Sequence, residues 1–249
     1  MPSTFFGLTI ASSGLHAFQA AVNTSANNVS NVHTKGYTKQ VANREAADAI
    51  RVHEKFGTAG SGVTTTSIKS IRSEYYDTKY WINQSSVGYY DTKVSYLQQV
   101  ENNFKDDEDA KNPGFTTVFN NLFNSLDSVH GHGEEEDYRK ACISNAQIFC
   151  NYFHNVSNSL ATLQKDCNDQ IKTLVESINS SSQKIATLTK QINDIELQGG
   201  RANELRDQRA LIIDELSEIV PITVEESPVV AVTVAALCKH GKEKVLLLL

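Results

Sequence analysis

The sequence predicts a mainly α fold: an N-terminal heptad helix, then an elongated helical-bundle rod with a long αα-hairpin, and minor β structure near residues 62–68 and 221–226. Three observations lead there. Apolar residues recur at alternating three- and four-residue intervals through most of the 249-residue chain, which is the period of an amphipathic helix. A Gly-Gly pair at 199–200 separates two such seams by a short loop, which favours an antiparallel return. Alternation of β-branched residues is confined to two short runs, "GVTTTSI" and "ITVEE".

In the first segment, Leu8, Leu15, Val22 and Val29 recur every seven residues. Ala11, Phe18 and Val32 fill the companion positions, with Ser25 as the polar exception. This is a heptad seam. Residues 1–34 contain no Asp, Glu, Lys or Arg, whereas a solvated coiled coil carries Glu and Lys on its outer faces. An uncharged outside predicts a helix that is marginal alone and becomes surrounded by other helices. The seam then runs into "SANNVSNVHTKGYTKQ", in which Asn27, Asn28 and Asn31 precede Thr34, Gly36 and Tyr37. Gly36 suits a turn or helix stop, and asparagine side chains cap backbone groups and tolerate left-handed geometry.

Residues 37–72 read as a connector. "FGTAGSGV" (56–63) is a flexible loop, and "GVTTTSI" a short strand. A second helix is predicted from about Ser73 to Phe104, with Val87, Tyr90, Val94, Leu97 and Phe104 on one stripe, and "DDEDAKNPG" ends it. "FTTVFNNLFNSL" is a short amphipathic helix whose Phe115, Val118, Phe119, Leu122, Phe123 and Leu126 are expected to face a core. The acidic end of "HGHGEEED" (130–137) suits the N-terminus of the next helix.

That next helix is the longest, from near Glu135 to Leu197. Its seam runs Ile171, Leu174, Ile178, Ser181, Ile185, Leu188, Ile192, Ile195, with a stutter at 163–167–171. After the glycines, Asn203 is expected to cap a returning helix with Leu205, Ile212, Leu216 and Ile219 as its seam, closed by Pro221. The organisation that follows is an axial helix at 1–36, a connector at 37–72, a helical rod at 73–220, and the start of an incomplete, atypical β segment at 221–249.

The residues that could carry chemistry read as plainer structure. His130, His132, Glu134 and Glu135 are possible metal ligands, but their spacing matches no compact zinc pattern and the glycines leave them unorganised. "GTAGSG" (57–62) lacks the Gly-Lys-Ser ending of a phosphate loop. No nucleophile elbow occurs. Asp207 and Arg209 in "DQR" point to different faces of a helix, and Arg206 is the better surface partner for neighbouring turns, so structural ion pairing is favoured over acid–base chemistry. Cys142, Cys150, Cys167 and Cys238 show no C-x-x-C spacing. No catalytic constellation, cofactor or metal site is indicated.

The net charge of −6 argues against nucleic acid as a general partner. Residues 35–72 are net +4, leaving −10 from Ser73 onward. The N-terminus lacks the basic and apolar regions of a cleavable signal peptide. No apolar run approaches the roughly 18–20 residues needed to cross a membrane.

"NNVSNVHTKGYTKQ" resembles the N-terminal signature of bacterial flagellar axial proteins, with Asn27, Asn28, Asn31, Thr34, Gly36 and Tyr37 as the matched positions. "ANELRDQRALIIDELSEIVPITVEE" (202–226) and the upstream helices are similar to the hook-associated protein 1 family, over about residues 1–226. The resemblance implies a structural, non-enzymatic subunit joining hook to filament in the extracellular flagellum. It would be exported by the flagellar type III apparatus. Its partners would be the hook protein, neighbouring hook-associated proteins and copies of itself, with no nucleic acid and no membrane. Leu8, Leu15, Phe18, Val22 and Val29 would pack in the inner tube, and the asparagine cluster with Thr34, Gly36 and Tyr37 would form the joint that leads the chain outward. Family members usually read Asp-Gln-Arg-Asp where this chain has Ala210, and they continue into further domains and a C-terminal helix that pairs with the first. The tail after Ser227 matches neither feature, so the chain reads as a truncated or frame-altered version, or a fragment. The alternative is a coiled-coil signalling module dimerising through the 171–195 seam.

Overall fold

The computed structural model describes residues 5–53, 57–104, 106, 113–227, 231–236 and 245–248. Among them are five helices and seven strands: α1 (Phe6–Ser30), β1 (Gln40–Ala46), β2 (Ile50–His53), β3 (Gly57–Ala59), β4 (Val63–Ser70), α2 (Glu74–Phe104), α3 (Phe115–Gly131), α4 (Glu136–Glu196), α5 (Asn203–Ile219), β5 (Ile222–Ser227), β6 (Ala231–Ala236) and β7 (Val245–Leu248). The fold is mainly α, as the periodicity predicts. The chain forms two compact units, one of Met1–Ser86 with Ile178–Leu249 and one of Val87–Ser177.

In the first unit, β1 and β4 pair antiparallel from Gln40↔Ser70 to Ala46↔Val63, with a bulge at Asn43/Arg44. β2 and β3 make a smaller antiparallel pair, so part of the stretch read as a glycine loop is a strand. "QVANREA" carries too much charge and too little alternation to announce a strand. Its pairing with β4 is what holds it. α1 lies against this β1–β4 hairpin. β5, β6 and β7 form a separate antiparallel sheet in that order.

The core of this unit sits between α4, α5 and β5. Ile185, Ile213, Leu216 and Ile222 are buried together, with Trp81, Ile178, Ile212, Val220 and Val224 packed around them. Each fully buried aliphatic side chain contributes about 1.5–3 kcal/mol. Ile178, Ile185 and Ile192 of the long α4 seam are thus covered within one chain. This disfavours the signalling-dimer alternative, which needs that seam free. Gly199, at φ 84, turns the chain between α4 and α5, and Glu196 braces the turn through a two-pronged ion pair to Arg206, both contacts 2.7 Å. The expected Asn203 cap is corrected: Ala202 is the N-cap residue and makes no side-chain cap bond. Asn203 is buried instead, and its Nδ2 donates to the Ile68 carbonyl (2.8 Å).

In the second unit, Val118 and Ser125 are the buried positions of α3. Phe115 stacks on Phe119 (5.5 Å), while Phe149 and Phe153 meet edge to face (5.0 Å). Phe115, Phe119, Phe123 and Leu126 nonetheless stay 37–54% exposed, so the ring cluster covers each of these side chains only in part. The Asp106 carboxylate serves as the missing cap of α3, accepting the Thr116 N–H (2.8 Å). That bond holds Asp106 below its ordinary pKa, against a desolvation effect that raises it.

Candidate assembly joint

α1 has two faces with different chemistry. The seam residues Leu8, Leu15, Phe18, Val22 and Val29 are 62–73% exposed. The opposite face is made of small residues. Ala17 and Thr24 are buried, Ser13 and Gly14 half-buried. Small side chains let the helix backbone approach the strands closely. Near one end of α1, the Ser13 hydroxyl accepts the Val63 N–H (3.2 Å) and donates to the Ile10 carbonyl (2.8 Å). Gly62, at φ 112, sits against Ser13, leaving no room for a Cβ. Phe18 is partly shielded by the Arg44 guanidinium, 5.2 Å from its ring centroid.

At the other end the asparagines form one network. Asn28 Nδ2 donates to the Gln40 carbonyl (2.8 Å), and the Gln40 N–H donates back to Asn28 Oδ1 (2.9 Å). Tyr37 directs its hydroxyl at Asn28 Oδ1 (2.8 Å) and accepts from Asn27 Nδ2 (3.3 Å). Asn31 is the C-cap residue of α1; its amide donates to Asn27 Oδ1 (2.8 Å), and Thr34 Oγ1 donates to Asn31 Oδ1 (3.1 Å). Gly36 has φ 81, which glycine adopts without a Cβ penalty. All six predicted joint residues therefore meet in one place.

Sequence reasoning missed what the joint rests on. Residues 35–40 lie along α5, their partners running in the opposite direction. Lys35 Nζ is 3.2 Å from Glu215 Oε1. A Cβ on Gly36 would stand 3.1 Å from Leu211. The Thr38 N–H donates to Asp207 Oδ2 (2.9 Å), and Gln40 Nε2 donates to Glu204 Oε1 (3.1 Å). Positions 204, 207, 211 and 215 are three or four residues apart, so they share one face of the helix. Burial pushes the Asp207 carboxyl up, against the Thr38 hydrogen bonds and the Arg72 charge that pull it down. Partial burial also raises the Tyr37 phenol, helped by the charges of Asp207 and Glu204. A cleft of about 210 Å³ remains between the joint and α5, lined among others by Asn31, Thr34, Glu204 and Gln208. Asp207 of "DQR" is thus a backbone acceptor, and its neighbour Arg206 takes an ionic role with Glu196.

Among the described residues no group of three or more His, Cys, Asp and Glu is placed to hold a metal ion. His132 stacks on Tyr138 with centroids 4.7 Å apart. Cys142, Cys150 and Cys167 form no disulfide, and Cys238 lies outside the described residues. No described helix is long and apolar enough to cross a membrane.

Two family models match the chain. The family model for the flagellar hook-associated protein FlgK helical domain matches residues 97–244, and that for flagella basal body rod protein matches residues 8–38, which hold α1 and the joint. The chain is 37% identical over 229 residues to flagellar hook-associated protein 1 of Bacillus subtilis (strain 168), covering 90% of this chain and 45% of that protein. It is 29% identical over 216 residues to the protein of the same name from Salmonella typhimurium (strain LT2), covering 86% and 38%. It thus spans less than half the length of either relative. The solved structure of the flagellar hook junction protein FlgK from Burkholderia pseudomallei shares the fold at a TM-score of 0.55 and 24% identity, covering 66% of this chain and 27% of that one.

Proposed function

Because the chain belongs to the flagellar hook-associated protein FlgK family, we propose that it is a structural subunit of the bacterial flagellum that joins hook to filament. It is exported by the flagellar type III apparatus and takes its place outside the cell. There it packs against the hook protein, neighbouring hook-associated proteins and copies of itself. It carries out no catalysis.

The observation that carries this reading is the division of α1. Its small face is pinned near both ends, at Ser13 and Asn28, while five large apolar seam residues stay largely exposed. A helix without charges that presents such a seam gains most by burying it against other helices. Leu8, Leu15, Phe18, Val22 and Val29 are the packing residues in this reading. Asn27, Asn28, Asn31, Thr34, Gly36 and Tyr37 hold the helix at its angle.

The test is Leu15→Asp, introduced into the gene of a flagellated bacterium that relies on this protein. Secreted subunit is scored by immunoblot of the medium and attached filaments by electron microscopy. The variant is expected to be secreted yet leave hooks without filaments. Because Leu15 is 68% exposed, thermal unfolding of the purified chain should hardly change. A normal filament count would overturn the reading.

A further inference from the structure

We propose that α5 sets the direction of α1, and that Asp207 is the positioning residue through which it does so. This rests on the reading of α1 as a packing helix but concerns a different property, its orientation rather than its adhesiveness.

Two supports hold α1, and they differ in kind. The β1–β4 hairpin touches the helix itself, through Val63 to Ser13 and Gln40 to Asn28. Those contacts fix α1 on the hairpin. They do not fix the hairpin on the α4–α5 core. That second connection is made by α5, which holds the segment entering β1 through Glu204, Asp207, Leu211 and Glu215, and the far end of β4 through Asn203 to the Ile68 carbonyl. The hairpin and its helix are therefore gripped at the base on both strands, by one helix.

Within that grip the contacts are unequal. Lys35 and Glu215 are 77% and 57% exposed, and such pairs contribute little. Asp207 is 7% exposed and receives a main-chain N–H. A side chain bound to the backbone fixes the path of the chain whatever side chain the segment carries. Leaving the Thr38 N–H without its acceptor in this half-buried place is unfavourable, so the segment leaves the α5 surface when Asp207 is lost. Asn at 207 keeps an acceptor oxygen in the same place; Leu does not.

The experiment uses the full chain with its four cysteines changed to Ser and spin labels attached at Gln19→Cys on α1 and Glu218→Cys on α5, both exposed positions. Distances between the labels are read by pulsed electron resonance, and amide exchange at Thr38 by NMR. Asp207→Leu is expected to accelerate exchange at Thr38 by about tenfold or more and to broaden the distance distribution. Asp207→Asn should restore both. Gly36→Val is the second variant: it pushes the segment off Leu211 while leaving α5 intact, and should broaden the distribution likewise. In both, amides around Ile185 and Leu216 should remain protected.

A distribution as narrow as wild type in Asp207→Leu and Gly36→Val, with Thr38 exchange accelerated, would overturn the proposal, since the hairpin alone would then set the direction. Unchanged Thr38 exchange in Asp207→Leu would overturn it too. Neither outcome bears on the packing role of Leu15, which the filament count decides separately.

Discussion

Asn28 and Gln40 pair as two peptide groups pair in a sheet: the side-chain amide of Asn28 donates to the Gln40 carbonyl at 2.8 Å and accepts the Gln40 N–H at 2.9 Å. A helix cannot join a β-ladder with its own backbone, whose groups are already used along its axis. An asparagine side chain carries one carbonyl and one amide, which is the set required. It lets α1 occupy the position of a neighbouring strand at the first residue of β1. Tyr37 then uses the second lone pair of the same oxygen.

Asn28→Ala removes all three bonds and leaves both main-chain groups of buried Gln40 without them. The expected cost is about 1–3 kcal/mol, seen as a lower midpoint of urea unfolding and faster exchange of the Gln40 amide. Asn28→Asp keeps both donors satisfied but sets a carboxylate oxygen against the Gln40 carbonyl, so it should recover only part of the loss. Full recovery by Asp would show that the Nδ2 bond contributes nothing.

Gly36→Ala meets two obstacles, a backbone at φ 81 and a Leu211 side chain 3.1 Å from the new Cβ. A non-glycine residue in left-handed geometry costs about 1 kcal/mol or more, and crowding adds to it. Leu211→Ala in the same chain should relieve the crowding and not the backbone strain. Recovery in the double variant is therefore expected to be partial. Complete recovery would place the whole effect in packing.

The α4–α5 core should respond very differently from the open part of the α4 seam. Ile185 is fully buried, whereas Leu174 is 42% exposed. Ile185→Ala is expected to destabilise by about 2–5 kcal/mol, and Leu174→Ala by under about 1 kcal/mol. Equal losses in chemical denaturation would mean that Leu174 is covered in solution, as a self-associating seam requires.

Two carboxylates give opposite pH dependence. The hydrogen-bonded guanidinium of Arg206 holds Glu196 below its ordinary 4.5, against desolvation. Its stabilisation is complete above that value and is lost as pH falls through the depressed one. Burial raises Asp214 above its ordinary 3.8, outweighing the Trp81 hydrogen bond and the Arg72 charge. The folded state binds that proton more tightly, so stability from this group rises as pH falls through the raised value towards 3.8. Asp214→Asn retains an acceptor for the Trp81 Nε1–H and removes the titration. Its melting temperature should lack the gain that wild type shows on mild acidification. Superimposable pH profiles would exclude the raised value.

Periodicity made the helices legible, because each has an apolar repeat within its own residues. It did not say which face would be covered by the chain itself. In α1 the most apolar stripe stays open, and the covered stripe is Ser13, Ala17, Thr24 and Asn28, which no hydrophobic pattern selects. The cluster of Asn27, Asn28, Asn31, Thr34, Gly36 and Tyr37 was legible because its residues are close in sequence. The support beneath it was not: Thr38 and Asp207 are 169 residues apart, and nothing local to "LRDQRA" marks Asp207 as an acceptor for a distant N–H. β1 was hidden for a related reason, since its partner rather than its composition makes it a strand. Asn203 looked like a cap because that is what asparagine does at helix starts when no unpaired strand carbonyl lies nearby.

The single-face spacing of 204, 207, 211 and 215 makes length matter more than identity in this part of the chain. A substitution at one of these positions removes one contact. Inserting one residue into α5 between Asp207 and Leu211 turns everything beyond it by about 100°, which places half of the stripe on another side of the helix. Deleting one residue between Lys35 and Gln40 shifts the segment by about 3.3 Å, far enough to bring each group opposite the wrong turn. Homologous chains should therefore vary freely in the side chains that face solvent here, yet carry no gaps, and a gap in either stretch should coincide with a compensating one in the other.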